Sequence, residues 1–317
     1  MRKPKFFMLV GLPASGKSTL AQLVAKEHNA NIHSSDEIRQ ELSGDINNQN
    51  INELVFKTLH NRIKEDLQNG KNCIYDATNI SYKRRMSFLQ ELNKISCKKI
   101  CIVMATPYAR CLSNNADRER QVPNEIIERM YRNFDMPYWY EGWDDIKIHY
   151  YPNAKGIYGT PAKWTESVID YNQNNSHHNL TLGLHCLAAW KYITNYIKKN
   201  YSLLHRLLSD LDVYYATLIH DNGKPFCKTF KNSKGEITEQ AHYYSHERVG
   251  SYNSLFYTYG FGTDNYNILY IAVLIRWHMQ LYFIKDNAKA LSKYKKLWGN
   301  ELYSDILLLH KADKHAH

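Results

Sequence analysis

Apolar positions in the first half of the chain fall alternately into short runs and helical spacing. KFFMLV (5–10) predicts a buried strand and 17–28 a helix, and the next strand ends in Ile32-His33-Ser34. A longer amphipathic helix is predicted over 49–69, ending at Asn69-Gly70. NCIYD (72–76) reads as a short apolar strand, 81–95 as a helix and KKICIVM (98–104) as another strand. Strands alternating with helices predict an α/β domain, a parallel sheet flanked by helices. The segment YYPNAKGIYGTPAKW (150–164) is rich in Gly, Pro and Tyr and has no clear period, so it reads as a linker. After about residue 175 the pattern turns helical, in LTLGLHCLAAWKYITNYI, LLHRLLSDLDVYYATLIHD, HERVGSYNSLFYTYG, YNILYIAVLIRWHMQLYF and LYSDILLLHKADKHAH, which predicts a nearly all-α second half. The expected organisation is residues 1–155, a linker at 156–172, and residues 173–317.

A length of 317 residues suits two domains, and 44% hydrophobic with 23% charged residues fits an ordinary globular chain. No run of 18 apolar residues exists, so no transmembrane helix is expected. The start, MRKPKFFMLVGLPASGKS, begins like an export signal, but its apolar run leads straight into a glycine-rich turn and reads as the first core strand. Six cysteines without a CxxC pair point to reduced thiols and a cytoplasmic location. The net charge of +10, spread over both halves, favours a polyanionic partner. Four histidines precede residue 151 and eleven follow it, so the halves are expected to do different chemistry.

Gly11-Leu-Pro-Ala-Ser15-Gly16-Lys17-Ser18-Thr19 fits G-x-x-x-x-G-K-[ST] between a predicted strand and a predicted helix. Glycines let the backbone N–H groups wrap phosphates, and the following helix points its positive end at them. Lys17 is expected on the β- and γ-phosphates and Ser18 on Mg²⁺. Asp36, just past a strand end, is placed to accept the proton of an attacking hydroxyl, with Arg39 one helical turn later. Asp76, at the end of NCIYD, is a candidate to support the metal or the loop, and Thr78 and Asn79 to bind an acceptor. Arg118 and Arg120, between two helical stretches, suit a lid that neutralises a transferring phosphoryl group.

A P-loop followed by D-x-x-R, D-x-T-N and N-x-x-R…V-P…M…P…E-G resembles the P-loop kinases that include the 5′-OH polynucleotide kinases, over roughly residues 5–150. The resemblance implies ATP or another NTP with Mg²⁺ on Gly11, Ser15, Gly16, Lys17, Ser18, Thr19, Arg118 and Arg120. It also implies Asp36 as general base, Arg39 on the acceptor phosphate and Arg118 as the lid arginine.

In the helical half, His220-Asp221 ends an apolar run and precedes Asn222-Gly223-Lys224-Pro225. A neighbouring imidazole and carboxylate at a helix end can share one ion. With His185 upstream and Asp313 downstream, the order H…HD…D resembles the HD phosphohydrolases. His246 and His278 extend it to H…HD…H…H…D, similar to the two-metal members. The string HD-x-GKP…H-x-x-S-H-E is similar to HD domains of bacterial tRNA nucleotidyltransferases. The resemblance implies one ion on His185, His220, Asp221 and Asp313, and a second on Asp221, His246 and His278. Mn²⁺, Ni²⁺ or Co²⁺ would suit such donors. Lys224 and His178 are candidates for substrate phosphate. His242, His310, His315 and His317 match nothing in the pattern, and the last two are expected at a disordered end.

A kinase joined to an HD phosphohydrolase is similar to the bifunctional HD-domain polynucleotide kinases, with the module order inverted. It implies end healing, in which a 5′-phosphate is added and a 2′-, 3′- or 2′,3′-cyclic phosphate removed. The partners would be nucleic-acid ends, RNA rather than DNA, with a ligase acting downstream and no membrane. Two other readings stay open: a kinase of nucleosides or small alcohols joined to an HD nucleotidase, and a nucleotide-gated HD phosphohydrolase. Oligomeric state is not legible. Of the tyrosines in the second half, Tyr214, Tyr215, Tyr243, Tyr244, Tyr257 and Tyr259 are candidates for base stacking, though core positions suit most of them.

Overall fold

Strand β1 (Lys5–Val10) is buried from its second residue to its last and sits at the centre of a five-stranded sheet. The computed structural model describes residues 3–176, 179–200, 211–260 and 264–316. The sheet runs β2 (Ala30–Ser34), β3 (Asn72–Asp76), β1, β4 (Lys98–Ala105), β5 (Asp145–Tyr150), with every pairing parallel. Parallel strands need crossovers, supplied by the helices Lys17–His28, Asn52–Gln68 and Tyr82–Glu91 and by the chain between β4 and β5. Leu20, Ala21 and Val24 of the first helix pack on Phe7, Leu9, Ile74, Ile102 and Met104 of the sheet. This order puts the C-terminal ends of β1 and β3 side by side, with the P-loop leaving one and Asp76 ending the other.

The chain divides into two compact units, Met1–Met130 with Pro137–Ala154, and Tyr131–Met136 with Lys155–His317. Strand β5, within DIKIHY, was not foreseen. It is an edge strand with only Ile146 fully buried, so it carries little of the apolar signal of the central strands.

The second unit is mainly helical. Its core is the helix Asn265–Trp277, buried continuously from Ile268 to Trp277. The stretch Asn265–Ile284 has the length and apolarity of a membrane span, but 67% of its most apolar window is buried inside the unit, as expected of a core helix. Around it lie the helices Leu182–Asn200, Leu211–Ile219, His246–Asn253 and Ala288–His315, the last broken at Gly299 by a non-helical backbone.

Two expectations are corrected here. The second half is not all-α, because β6 (Thr229–Lys231) and β7 (Ile237–His242) form an antiparallel hairpin. The turn Asn232–Glu236 closes on Asn232, whose side chain accepts from the amides of Lys234 and Glu236. The segment 156–172 holds the helix Pro161–Ser167, with Thr160 accepting from Lys163 N as its cap and proline in its first turn. The hexapeptide Tyr131–Met136 is held within the second unit by Asp135, which accepts from Arg276 Nε at 2.9 Å, and by Phe134 and Tyr131, whose rings pack edge-on against Tyr252.

Candidate active sites

The first site is built on the turn between β1 and the helix Lys17–His28. Gly16 has φ 92° and Ala14 φ 58°, so the turn curls back on itself. A Cβ on Gly11 would stand 2.7 Å from Met104 Cβ and from Ser15 Oγ, so only glycine fits there. The loop is braced from outside: Thr106 Oγ1 donates to Ser15 O at 2.9 Å and Asn114 Nδ2 to Ala14 O at 3.1 Å. Lys17 folds back with Nζ 2.7 Å from Leu12 O and 3.2 Å from Gly11 O. Ser18 Oγ donates to Asp76 Oδ2 at 2.8 Å. Burial lowers the pKa of Lys17, partly offset by Asp76, and burial raises that of Asp76 against the pull of Lys17 and Ser18. Ser15 Oγ is buried and has no hydrogen-bond partner among the described residues. An orphaned hydroxyl, a buried ammonium and a carboxylate–hydroxyl pair inside a ring of backbone amides fit a phosphate chain with its divalent cation.

Asp36 lies in the first turn of the helix Ser35–Ser43, and the cap is Ser34. Its Oδ1 is 2.9 Å from Arg39 Nη1 and its Oδ2 is 2.9 Å from Arg120 Nη1. Arg39 is buried and also donates to Asn52 Oδ1 at 2.8 Å. Arg120 additionally holds Asn47 Oδ1 at 2.9 Å and Ile46 O at 3.3 Å. Arg118 is exposed, and its charge reaches Lys17. Thr78 contributes its carbonyl to Gly11 N at 3.0 Å, and Asn79 Nδ2 holds Leu9 O at 2.9 Å. Both therefore brace the loop in this structure. The sequence reading missed Arg85, which forms a doubly bonded, fully buried pair with Glu141 at 2.8 and 2.6 Å and donates to Asn79 O at 2.8 Å. Arg85 stands in a charged helix and carries no mark of burial in its spacing.

The second site draws six separated residues together. His185 is on the helix Leu182–Asn200, His220 and Asp221 directly follow the helix Leu211–Ile219, and His246 opens the next long helix. His278 follows Trp277, and Asp313 is in the last turn of the C-terminal helix. All six are buried. Each imidazole faces a backbone carbonyl with Nδ1: His185 to Ala316 O at 3.2 Å, His220 to Thr217 O at 2.8 Å, His246 to Tyr243 O and His278 to Ile275 O at 2.7 Å. A carbonyl only accepts, so Nδ1 carries the hydrogen and Nε2 turns its lone pair inward. The Nε2 atoms of His185 and His220 are 3.1 Å apart, and those of His246 and His278 are 3.3 Å apart. Two lone pairs at such separations repel unless a proton or cation lies between them.

Asp221 joins the pairs. Its Oδ2 is 3.5 Å from His185 Nε2 and 3.4 Å from His220 Nε2, while its Oδ1 is 3.3 Å from His246 Nε2 and 3.8 Å from His278 Nε2. Asp313 Oδ1 lies 3.0 Å from His185 and 3.5 Å from His220. The residues form two metal-sized groups, His185–His220–Asp221 and Asp221–His246–His278, sharing one carboxylate. Burial alone would lower the His220 pKa, yet Asp221, Cys186 and Asp313 hold it well above the usual imidazole range. Burial, then His246 and His220, push His278 down to about 3. The cluster thus calls for positive charge beside His220 and keeps His278 neutral, a donor set that fits divalent transition ions.

Lys224, expected on substrate phosphate, is buried with Nζ 2.7 Å from Asp221 Oδ2 and 2.8 Å from Gln173 Oε1. It serves the bridging carboxylate. His178 and His317 lie outside the described residues. His315 is not disordered but ends the long helix beside Tyr192. His242 stacks on Tyr244, and His310 lies against the Tyr282 ring at 4.3 Å. Tyr257 is core, Tyr215 packs against Tyr214 and Tyr259, and Tyr244 is exposed. Two residues were missed. Gln173 sits in an unpatterned Asn-rich stretch. Tyr282 hydrogen-bonds Asp313 and lies in the short helix Gln280–Ile284, which begins two residues after His278.

Residues 6–137 match the AAA domain family model AAA_33. The L-seryl-tRNA(Sec) kinase of Methanococcus maripaludis is 30% identical over 173 residues, 52% of this chain and 61% of that protein, so the chain spans about three-fifths of the curated relative it matches. Among solved structures, the Pnkp1/Rnl/Hen1 RNA repair complex is 24% identical over 41% of this chain and 43% of that chain, with a TM-score of 0.35. A gluconokinase from Sinorhizobium meliloti 1021 is 12% identical over 48% and 86% of the two chains, also with a TM-score of 0.35. The first unit is thus a P-loop α/β domain with the parallel-sheet kinase fold.

Proposed function

We propose that this chain handles phosphate at two sites on nucleic-acid ends: an NTP-dependent 5′-hydroxyl kinase in the first unit, and a metal-dependent phosphohydrolase of the HD type in the second that removes 2′, 3′ or 2′,3′-cyclic phosphate. The observation that carries the reading is the Asp221 carboxylate set between two pairs of inward-facing imidazole Nε2 atoms, in a chain that also carries a complete P-loop.

At the first site Lys17 and the loop amides would hold the nucleotide phosphates, with Ser18 and Asp76 toward Mg²⁺. The nucleotide supplies the phosphoryl group, and its Mg²⁺ offsets developing charge. The chain's own work is to orient the acceptor and take its proton. Arg39 and Arg120 fix both oxygens of Asp36, which takes the hydroxyl proton, while exposed Arg118 is free to meet the charge that develops on transfer.

At the second site the ring nitrogens, Asp221 and Asp313 would hold one or two divalent ions, which supply electrophilic charge to a phosphate ester and acidify a water. Four carbonyls lock the rings, and Lys224 fixes Asp221.

A second reading of the acceptor is favoured by the 30% identity to a seryl-tRNA(Sec) kinase, namely the hydroxyl of an aminoacyl group carried on tRNA. One experiment separates the two. The protein is incubated with γ-labelled ATP and, in parallel, a 5′-OH oligoribonucleotide, its DNA equivalent and seryl-tRNA. Label on the oligonucleotide 5′ end supports the first reading and label on seryl-tRNA the second. Label only on a sugar or nucleoside monomer overturns both. A 3′-phosphate oligonucleotide with Mn²⁺, Ni²⁺ or Co²⁺ tests the second site, and no phosphate release under any of them overturns its part.

A further inference from the structure

Residues 285–296, KDNAKALSKYKK, hold five lysines and one acid, Asp286. Lys289, Lys293 and Lys296 follow one another at steps of four and three, so they line one face of the helix Ala288–His315, and Lys285 lies just before that helix on backbone with φ 48°. All four are exposed, and none makes an ion pair among the described residues. Lys295 is turned away, with its ammonium 4.4 Å from the Tyr303 ring centre. The other face of this helix is pinned: Tyr294 and Trp298 pack on Trp277 at 5.6 and 5.5 Å, next to His278. The lysines therefore cannot turn inward, and their mutual repulsion is left uncompensated.

The stripe begins at the rim of the imidazole cluster. Tyr282, three residues before Lys285, hydrogen-bonds the Asp313 carboxylate. Between them Phe283 is 67% exposed, with no ring contact among the described residues. On one helix face, Lys289, Lys293 and Lys296 stand about 5–6 Å apart, the scale of successive phosphates along an extended strand. A mononucleotide would need one such cation, whereas a row of three with a fourth just ahead of it suits a polymer.

We propose that Lys285, Lys289, Lys293 and Lys296 form a track for the phosphodiester backbone of a single-stranded nucleic acid whose phosphorylated end lies at the imidazole cluster. Phe283 is the stacking surface for its terminal base. The inference rests on the phosphohydrolase reading of that cluster and names its substrate as polymeric.

The test uses the full chain and its Lys289→Glu/Lys293→Glu/Lys296→Glu variant, with the matching Lys→Arg triple as control. Binding of a fluorescent 3′-OH oligoribonucleotide is followed between 50 and 200 mM salt. The charge-reversed protein is expected to bind at least about tenfold more weakly, with a log–log salt slope smaller by about 2, three contacts at about 0.7 each. The arginine triple should bind as wild type. In Mn²⁺, the ratio of kcat/KM for a 3′-phosphate oligonucleotide to that for p-nitrophenyl phosphate should fall about tenfold or more, through KM. Unchanged binding and salt slope in the reversed variant overturns the track, and so does an equal loss on both substrates. If wild type hydrolyses neither substrate in Mn²⁺, Ni²⁺ or Co²⁺, the phosphohydrolase reading fails, while the binding comparison still decides whether the track exists.

Discussion

Arg120 reaches back 84 residues along the chain to place Nη1 2.9 Å from Oδ2 of Asp36, whose other oxygen Arg39 holds at the same distance. The carboxylate is thereby fixed in orientation, as a base acting on one hydroxyl needs to be. Asp36→Ala is expected to lower 5′-phosphorylation at least about 10²-fold, and Lys17→Ala to abolish it. Both should leave phosphate release by the second unit unchanged. End-labelling and phosphate assays on the same preparations check this. Full kinase activity in Asp36→Ala would remove it as the base.

Asp221 touches both imidazole pairs and the Lys224 ammonium. Asp221→Ala should lose bound metal and hydrolysis together and leave a buried ammonium without its counter-charge, at about 3–5 kcal/mol. Asp221→Asn keeps the shape but not the charge, and should lose metal and hydrolysis in the same way. His246→Ala should remove one ion, retain the other and still damage hydrolysis. Elemental analysis after reloading with Mn²⁺, Ni²⁺ or Co²⁺ gives the count. Wild-type binding of less than one ion per chain, or wild-type hydrolysis by Asp221→Ala, would sink the assignment.

Gly223 lies two residues after Asp221, and a Cβ there would stand 2.1 Å from His246 O and 2.8 Å from Gly250 N. Both neighbours are backbone, so relief requires moving the helix that starts with His246. Gly223→Ala is expected to cost about 2–4 kcal/mol and to reduce metal content, while nucleotide binding by the first unit persists. Thermal melts with and without metal, beside ATP binding, would show it. A variant with the wild-type melting point refutes the close approach.

Burial, with Asp264 and Asp305 nearby, pushes the Asp212 carboxyl up to about 6 despite its hydrogen bond from Asn267. A raised carboxyl pKa means the folded state holds the proton more tightly than the unfolded one. Its stabilising contribution is therefore present below about pH 4 and lost as pH rises through about 6. Asp212→Asn should stabilise the protein by up to about 3 kcal/mol at pH 8 and change little at pH 4. Denaturation at the two pH values decides it, and an equal effect at both would contradict the assigned cause.

The parallel sheet was legible wherever strands were buried on both faces, because unbroken apolar runs such as FFMLV and CIVM have no other use. It was not legible at β5 or in the hairpin, where alternate residues meet water and the apolar signal halves. Site residues set by local spacing, the P-loop and His220-Asp221, stood out. The order His185, His246, His278, Asp313 became readable only through resemblance, since single histidines on helices have no periodicity that marks them. Groups that act by holding others, such as Arg85 and Gln173, were missed, and the contact of Lys224 with Asp221 was not foreseen. Their partners lie far off in sequence, and only the folded chain shows whom they serve.

The hexapeptide Tyr131–Met136 belongs to the helical unit although the chain then returns to finish the sheet with β5. The two units are consequently threaded rather than strung end to end. A fragment starting at residue 155 would lack Asp135, leaving the Arg276 guanidinium, 8% exposed, without the carboxylate it meets at 2.9 Å, and would bare the Tyr252 face that Tyr131 and Phe134 cover. Gene fusions or expression fragments that divide the chain at the glycine-rich stretch inherit an incomplete fold on one side and a stranded six-residue loop on the other.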